Sequence, residues 1–249
     1  MGSRWQFCLG IRTKFCECKR EEKRRLEEEL GEGGFGVVYM AEQQKPVKRR
    51  VAFKLIKPGM DSKQVVARFE AERQALAMMD HPSIAKILDA GATDMGRPYF
   101  VMELVQGIPI TKYCEEHRLT VKERLELFIP VCQAIQHAHQ KGVIHRDLKP
   151  ANVLVTSHDG TPVVKIIDFG RALMVNENVS FLFGSPLYMA PETHRREPGS
   201  PQSDLYSIGL IALELLVGEP IVTDPTMNED GLLAVKRQLV SRLKTILPS

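Results

Sequence analysis

No uninterrupted apolar run in the 249 residues reaches the ~20 residues that a membrane-spanning helix requires, and the start MGSRWQFCLG lacks the basic-then-apolar layout of a secretion signal. A cytoplasmic location is therefore expected. Gln6 stands where a myristoylation signal following Gly2 needs Ser or Thr, so that lipid is not expected either. Charge of one sign is also scarce. The formal net charge is +3, and basic residues in the body of the chain are interleaved with acidic ones, which argues against nucleic acid as the main partner. Paired cysteines are missing: Cys8, Cys16, Cys18, Cys114 and Cys132 are odd in number and have no CxxC spacing, so they read as reduced thiols. The first three do not make the regular four-ligand set of a zinc site. No internal repeat or low-complexity tract is found, which excludes solenoid architectures.

What is present is ordinary for a globular protein, with 43% hydrophobic and 26% charged residues. A chain of this size buries roughly three quarters of its unfolded surface, so a substantial core is expected. Residues 1–25 are basic and cysteine-containing and read as an extension. GEGGFGVVYMAEQ and RRVAFKLIK, separated by the polar QQKPVK, predict paired strands and a turn. From Ser62 to Met79, Val65, Val66, Phe69, Leu76 and Met79 recur at mostly helical spacing, with Asp61 or Ser62 as cap and Pro82 past the end. YFVMEL from Tyr99 predicts a strand ending at the turn-prone QGIP. Val121 to Lys141 predicts a helix with Leu125, Phe128, Ile129, Cys132 and Ile135 on one face, stopped by Gly142. NVLV and VVKIID flank Asp159-Gly160 and predict a hairpin. SDLYSIGLIALELL predicts an apolar helix, and Asp230 to Leu247 an amphipathic one carrying Leu232, Val235, Leu239, Leu243 and Ile246 on the face expected to pack.

Three motifs carry chemistry. Gly31, Gly33 and Gly36 form GxGxxG followed by Val38, and glycine there lets backbone N–H groups approach phosphate oxygens. On its own this is an ordinary glycine-rich turn as readily as a phosphate loop. Its strand-loop-strand setting favours a flap over a nucleotide and disfavours a dinucleotide-binding strand-to-helix turn. Lys54 in VAFK lies on the next strand, where its amine can reach phosphates if a carboxylate from the following helix, Glu70 or Glu72, holds it. Third, His145-Arg146-Asp147-Leu148-Lys149-Pro150-Ala151-Asn152 is followed, after a hairpin, by Asp168-Phe169-Gly170. Asp147 can accept a hydroxyl proton, Lys149 can face a transferred phosphoryl group, and Asn152 and Asp168 supply the hard oxygen ligands that Mg²⁺ prefers.

With these motifs in this order, the chain resembles the eukaryotic-like Ser/Thr protein kinases, in wording closest to bacterial members, over about Leu30 to Gly218. The resemblance implies an α+β bilobal fold: a small antiparallel-sheet N-lobe with one helix (residues 26–102) and a mainly helical C-lobe (103–249). It implies Mg·ATP as cofactor and substrate, with Gly31, Gly33, Gly36, Val38, Ala52 and Lys54 lining the nucleotide site. It further implies Met102 as gatekeeper, a hinge from Glu103 to Val105, and Glu72 instead of Glu70 as the partner of Lys54. GSPLYMAPE, ending at Glu192, resembles the end of an activation segment and implies protein substrates, not small metabolites, while Lys149 in HRDLKPAN resembles the Ser/Thr branch of the family and implies Ser or Thr acceptors. Arg146 can hold a phosphate group, and Ser180 is the candidate modified residue, since the resemblance gives Ser185 a substrate-positioning place.

Two departures from the family pattern carry expectations. KREEKRRLEEEL stands where the family's first strand belongs, yet its composition favours helix. Glu192 pairs in the family with a distant arginine, but only 57 residues (249 − 192) follow it and none has the matching context, so the helical lobe is expected to be cut short. These departures keep a second reading open, a catalytically impaired nucleotide-binding or scaffold domain.

Overall fold

Alternation of side chains across extended strands organises the first part of the chain. The computed structural model describes residues 14–18, 22–33, 36–44, 47–57, 79–93, 96–169, 186–195, 197, 199–220, 231, 234, 235 and 238. It divides into two compact units, Met1–Ala77 with Lys86–Leu104, and Met78–Ala85 with Val105–Ser249.

The first unit is built on strands β1 (Lys14–Cys18), β2 (Glu22–Glu32), β3 (Gly36–Gln43), β4 (Arg49–Ile56), β5 (Ile87–Ala92) and β6 (Pro98–Glu103). They form one sheet in the order β1-β2-β3-β4-β6-β5, with every neighbouring pair antiparallel. One face buries Leu26, Ala41, Val51, Phe53, Tyr99 and Val101 as a single cluster, with Phe53 and Tyr99 stacked at 5.1 Å. Residues opposite each other share a face. The hairpin expected from GVVYMAEQ and RRVAFKLI is therefore present, as is the strand expected at YFVME.

The segment expected to be helical is instead strand β2, a correction with a clear physical cause. β2 is hydrogen-bonded on both sides, to β1 and to β3, and its Leu26 sits in the core at 7% exposure. Pairing on two edges together with one buried leucine outweighs the few tenths of a kcal/mol per residue by which Glu, Lys and Arg favour helix. Within the first 25 residues, Lys14–Cys18 supply the edge strand.

The second unit contains β7 (Ile108–Pro109), α1 (Ile110–Glu116), α2 (Val121–Gln140), β8 (Val153–His158), β9 (Thr161–Ile166), a short α3 (Pro191–His194) and α4 (Pro201–Val217). A small antiparallel sheet runs β7-β8-β9, and its β8–β9 turn uses Asp159 and Gly160 at φ 50 and 78, the left-handed pair that a two-residue hairpin needs. Thr120 and Glu123 close a reciprocal capping box that starts α2, and Gly142 at φ 75 lets the chain leave it.

The buried face of α2 differs from the expected one. Leu127, Phe128, Val131, Ala134, Ile135 and Ala138 are buried, whereas Leu125 and Ile129 are 40% and 52% exposed and Cys132 is exposed. Two alanines that carry no bulk lie within the buried stripe, so counting large side chains set its centre too far round the helix. Helix α2 packs against α4, which begins at Ser200 and Pro201 and ends at Gly218 with φ 79. Near the C-terminus Gly231, Ala234, Val235 and Gln238 are helical, and Val235 packs against the cluster around Leu210.

The remaining parts of the expected C-terminal helix and the helix from Ser62 to residue 78, including Glu70 and Glu72, lie outside the described residues. Among the described residues no helix is long and apolar enough to cross a membrane.

Candidate active site

Each unit carries its own set of the residues singled out by sequence. In the first, the register pairs Val38 with Lys54, Lys54 with Phe100, and Ala52 with Met102. Because partners share a face and i, i+2 positions repeat it, Val38, Ala52, Lys54 and Met102 occupy the sheet face opposite the Phe53 cluster. Lys54 is 4% exposed. Gly36 begins β3 so close to β4 that a Cβ there would meet the Leu55 carbonyl oxygen, while Gly33 N–H donates to Gly36 O at 2.9 Å and closes the loop. Gly31 pairs with Val38 across the β2–β3 ladder. Glu103 ends β6, where its N–H donates to Lys86 O at 2.9 Å and its carboxylate accepts from Lys86 N–H at 3.1 Å. Val105 is half-buried at the start of the second unit's main segment.

In the second unit, α2 delivers the chain to a loop that is pinned from beneath. Asp204, in the first turn of α4 and 1% exposed, accepts from the backbone N–H of His145 through Oδ2 and of Arg146 through Oδ1, both at 2.8 Å, and from His139 Nε2 at 2.8 Å. A carboxylate accepting three donors fixes Arg146 at φ 66, a left-handed conformation costly for a side chain of this size. Gly199 gives the arginine room, since a Cβ there would lie 3.2 Å from its Cγ and Nε.

His145 is fully buried and joins the loop to the segment after β9. Its Nε2 lies 3.0 Å from Ile167 O, which only accepts, so Nε2 carries the hydrogen and Nδ1 is left to accept Asp147 N–H at 3.3 Å. The His145 ring also packs against Phe169 at 4.6 Å.

On this base the chemical groups converge. Asn152, 6% exposed, donates from Nδ2 to Asp147 O at 2.7 Å and approaches Asp147 Oδ2 at 3.4 Å, and Lys149 Nζ lies 3.4 Å from the same Oδ2. Ile167 N–H donates to Asn152 O at 2.9 Å, which ties the segment that carries Asp168, itself at φ 66, to the backbone of this loop. Asp147, Lys149 and Asn152 thus come together as one group. With Nδ2 committed to Asp147, the amide oxygen of Asn152 is the atom left to face a cation. One amide oxygen and one carboxylate suit Mg²⁺, which keeps several waters and takes substrate phosphates as ligands in place of a closed protein cage.

Sequence reasoning missed the residues that position this group. Asp204 and Ser203 look like ordinary first-turn polar residues of α4, and His139 like a helix-end histidine. Glu192 accepts from a nearby donor, Ser203 Oγ, at 2.8 Å. Tyr188 donates to Glu214 at 2.8 Å, and Ser207 donates to Tyr188 O at 2.7 Å. Glu72, Ser180 and Ser185 lie outside the described residues.

Comparison with known proteins shows the family to which the chain is related. The family model described as Protein kinase domain matches residues 24–246. A probable serine/threonine-protein kinase, PknB of Lactococcus lactis, is 38% identical over 204 residues, covering 80% of this chain and 32% of that protein. The serine/threonine-protein kinase PknA of Mycobacterium tuberculosis is 37% identical over 205 residues, covering 78% of this chain and 47% of that protein. The chain spans about a third to a half of the length of such curated relatives. Among solved structures, the Mycobacterium tuberculosis PknI kinase domain is similar with a TM-score of 0.66 and 28% identity, over 97% of this chain and 92% of that one. The chain belongs to the protein kinase domain family.

Proposed function

We propose that the chain is an ATP-dependent protein serine/threonine kinase, transferring the γ-phosphoryl group of Mg·ATP to Ser or Thr hydroxyls of proteins. The observation that carries this reading is the joining of Asp147, Lys149 and Asn152 within 3.4 Å on a loop pinned by Asp204. The names of the relatives support the choice of hydroxyl.

Asp147 accepts the proton of the substrate hydroxyl as its oxygen bonds to the terminal phosphorus, and the bond from that phosphorus to the bridging oxygen breaks to release ADP. Lys149 holds positive charge beside Asp147, where the transferred group gains negative charge. Asn152 and Asp168 hold magnesium, which when bound neutralises charge on the phosphate oxygens. The face bearing Val38, Ala52, Lys54 and Met102 takes the nucleotide, with Gly31, Gly33 and Gly36 over its phosphates, Glu103 and Val105 offering backbone groups to adenine, and Glu72 pairing with Lys54. A cytoplasmic setting, where Mg·ATP is abundant, suits this reading. Strand β2 gives the glycine loop a paired anchor, which removes one of the reasons for a non-catalytic reading.

Incubating the chain with Mg·ATP and a basic acceptor protein tests the proposal. Phosphoserine or phosphothreonine on the acceptor is expected, and nucleotide-induced thermal stabilisation without any transfer would leave only a nucleotide-binding domain.

A further inference from the structure

The first turn of α4 presents two adjacent polar side chains, Ser203 and Asp204, both nearly inaccessible at 6% and 1% exposure. Asp204 holds the start of the catalytic loop. Ser203 makes its own set of bonds: its hydroxyl donates to Glu192 Oε1 at 2.8 Å, and its oxygen lies 3.2 Å from Ser200 N–H and 3.3 Å from Ser200 Oγ. A serine hydroxyl has one hydrogen and two lone pairs, so these contacts saturate it and aim its only proton at the carboxylate.

We propose that Ser203 is a positioning residue that docks the Ala190-Pro191-Glu192 end of the substrate-facing segment onto α4. The bond joins residues eleven apart in sequence through a charge-assisted contact, the stronger kind. Its place in the helix cap makes the start of α4 a junction, with residue 204 setting the catalytic loop and residue 203 setting the segment that meets the protein substrate. Ser203 does not touch the reacting atoms. Its loss therefore acts on the acceptor protein and not on the nucleotide, and this half of the inference rests on the kinase reading.

Hydrogen exchange of the amides of Thr193, His194 and Arg195, which bond within α3, reads docking without requiring activity. Ser203→Ala and Glu192→Ala are each expected to speed this exchange roughly tenfold, the scale of one hydrogen bond to a charged group. The double variant should add nothing further, and Glu192→Gln, which keeps an acceptor oxygen, should recover part of the protection. Ser200→Ala weakens the helix cap without touching Glu192 and should leave the exchange unchanged. In transfer assays Ser203→Ala should raise the KM for the acceptor protein and leave the KM for ATP unaltered. Unchanged exchange in Ser203→Ala, additive effects in the double variant, or an equal effect from Ser200→Ala would each overturn the proposal. A wild-type chain that shows the exchange pattern but transfers no phosphate would sink the kinase reading while leaving the docking intact.

Discussion

Asn152 donates its side-chain amide to the backbone oxygen of Asp147 at 2.7 Å, so the proposed metal ligand also fixes the backbone of the proposed base. The two functions share one side chain, and loss of either should be visible separately. Asn152→Ala takes the donor from a part-buried carbonyl and should destabilise the chain by about 1–3 kcal/mol. A urea melt would show this as a lower midpoint with an unchanged slope, alongside loss of transfer at any magnesium concentration.

Asp204 is the more consequential anchor. Asp204→Ala takes the acceptor away from the His145 and Arg146 amides and from His139 Nε2. At about 1–3 kcal/mol for each buried donor left without its acceptor, the expected loss is at least about 3 kcal/mol. Differential scanning calorimetry checks it, and Arg146 should then relax from its left-handed conformation.

The Tyr188–Glu214 pair predicts an alkaline signature. Burial first, and then the Glu214 carboxylate, push the Tyr188 phenol well above its ordinary value of 10.0. The unfolded chain therefore loses this proton at lower pH than the folded one, so the stability involved is intact below about pH 10 and declines as pH rises further. Tyr188→Phe should lower stability by about 1.5–3 kcal/mol at neutral pH and flatten the alkaline decline, as read from chemical unfolding between neutral pH and pH 11.

Much of this was legible in the residues. The Val-, Phe- and Tyr-rich stretches on either side of the polar QQKPVK pointed to two paired strands, and HRDLKPAN pointed to Asp147, Lys149 and Asn152 as a group, because side-chain chemistry there is local and ordered along the chain. β2 was not legible: its Glu, Lys and Arg favour helix in isolation, and only pairing to both β1 and β3 makes it extended. The face of α2 was misjudged because Ala134 and Ala138 are buried without a bulky signal. Asp204 and Ser203 escaped notice because their partners are remote in sequence, His145 and Arg146 fifty-nine and fifty-eight residues away and Glu192 eleven. A first-turn polar residue does not show, from sequence alone, whether it caps its own helix or holds another segment.

Phosphoryl transfer by Asp147→Asn against the unmodified chain probes the centre of the account. The carboxylate lies at the end of a loop whose backbone is held by Asn152, His145 and Asp204, so the fold and the Mg·ATP-induced rise in Tm should persist while the transfer rate falls by roughly 10²- to 10⁴-fold. An equal rate in the two proteins would contradict it.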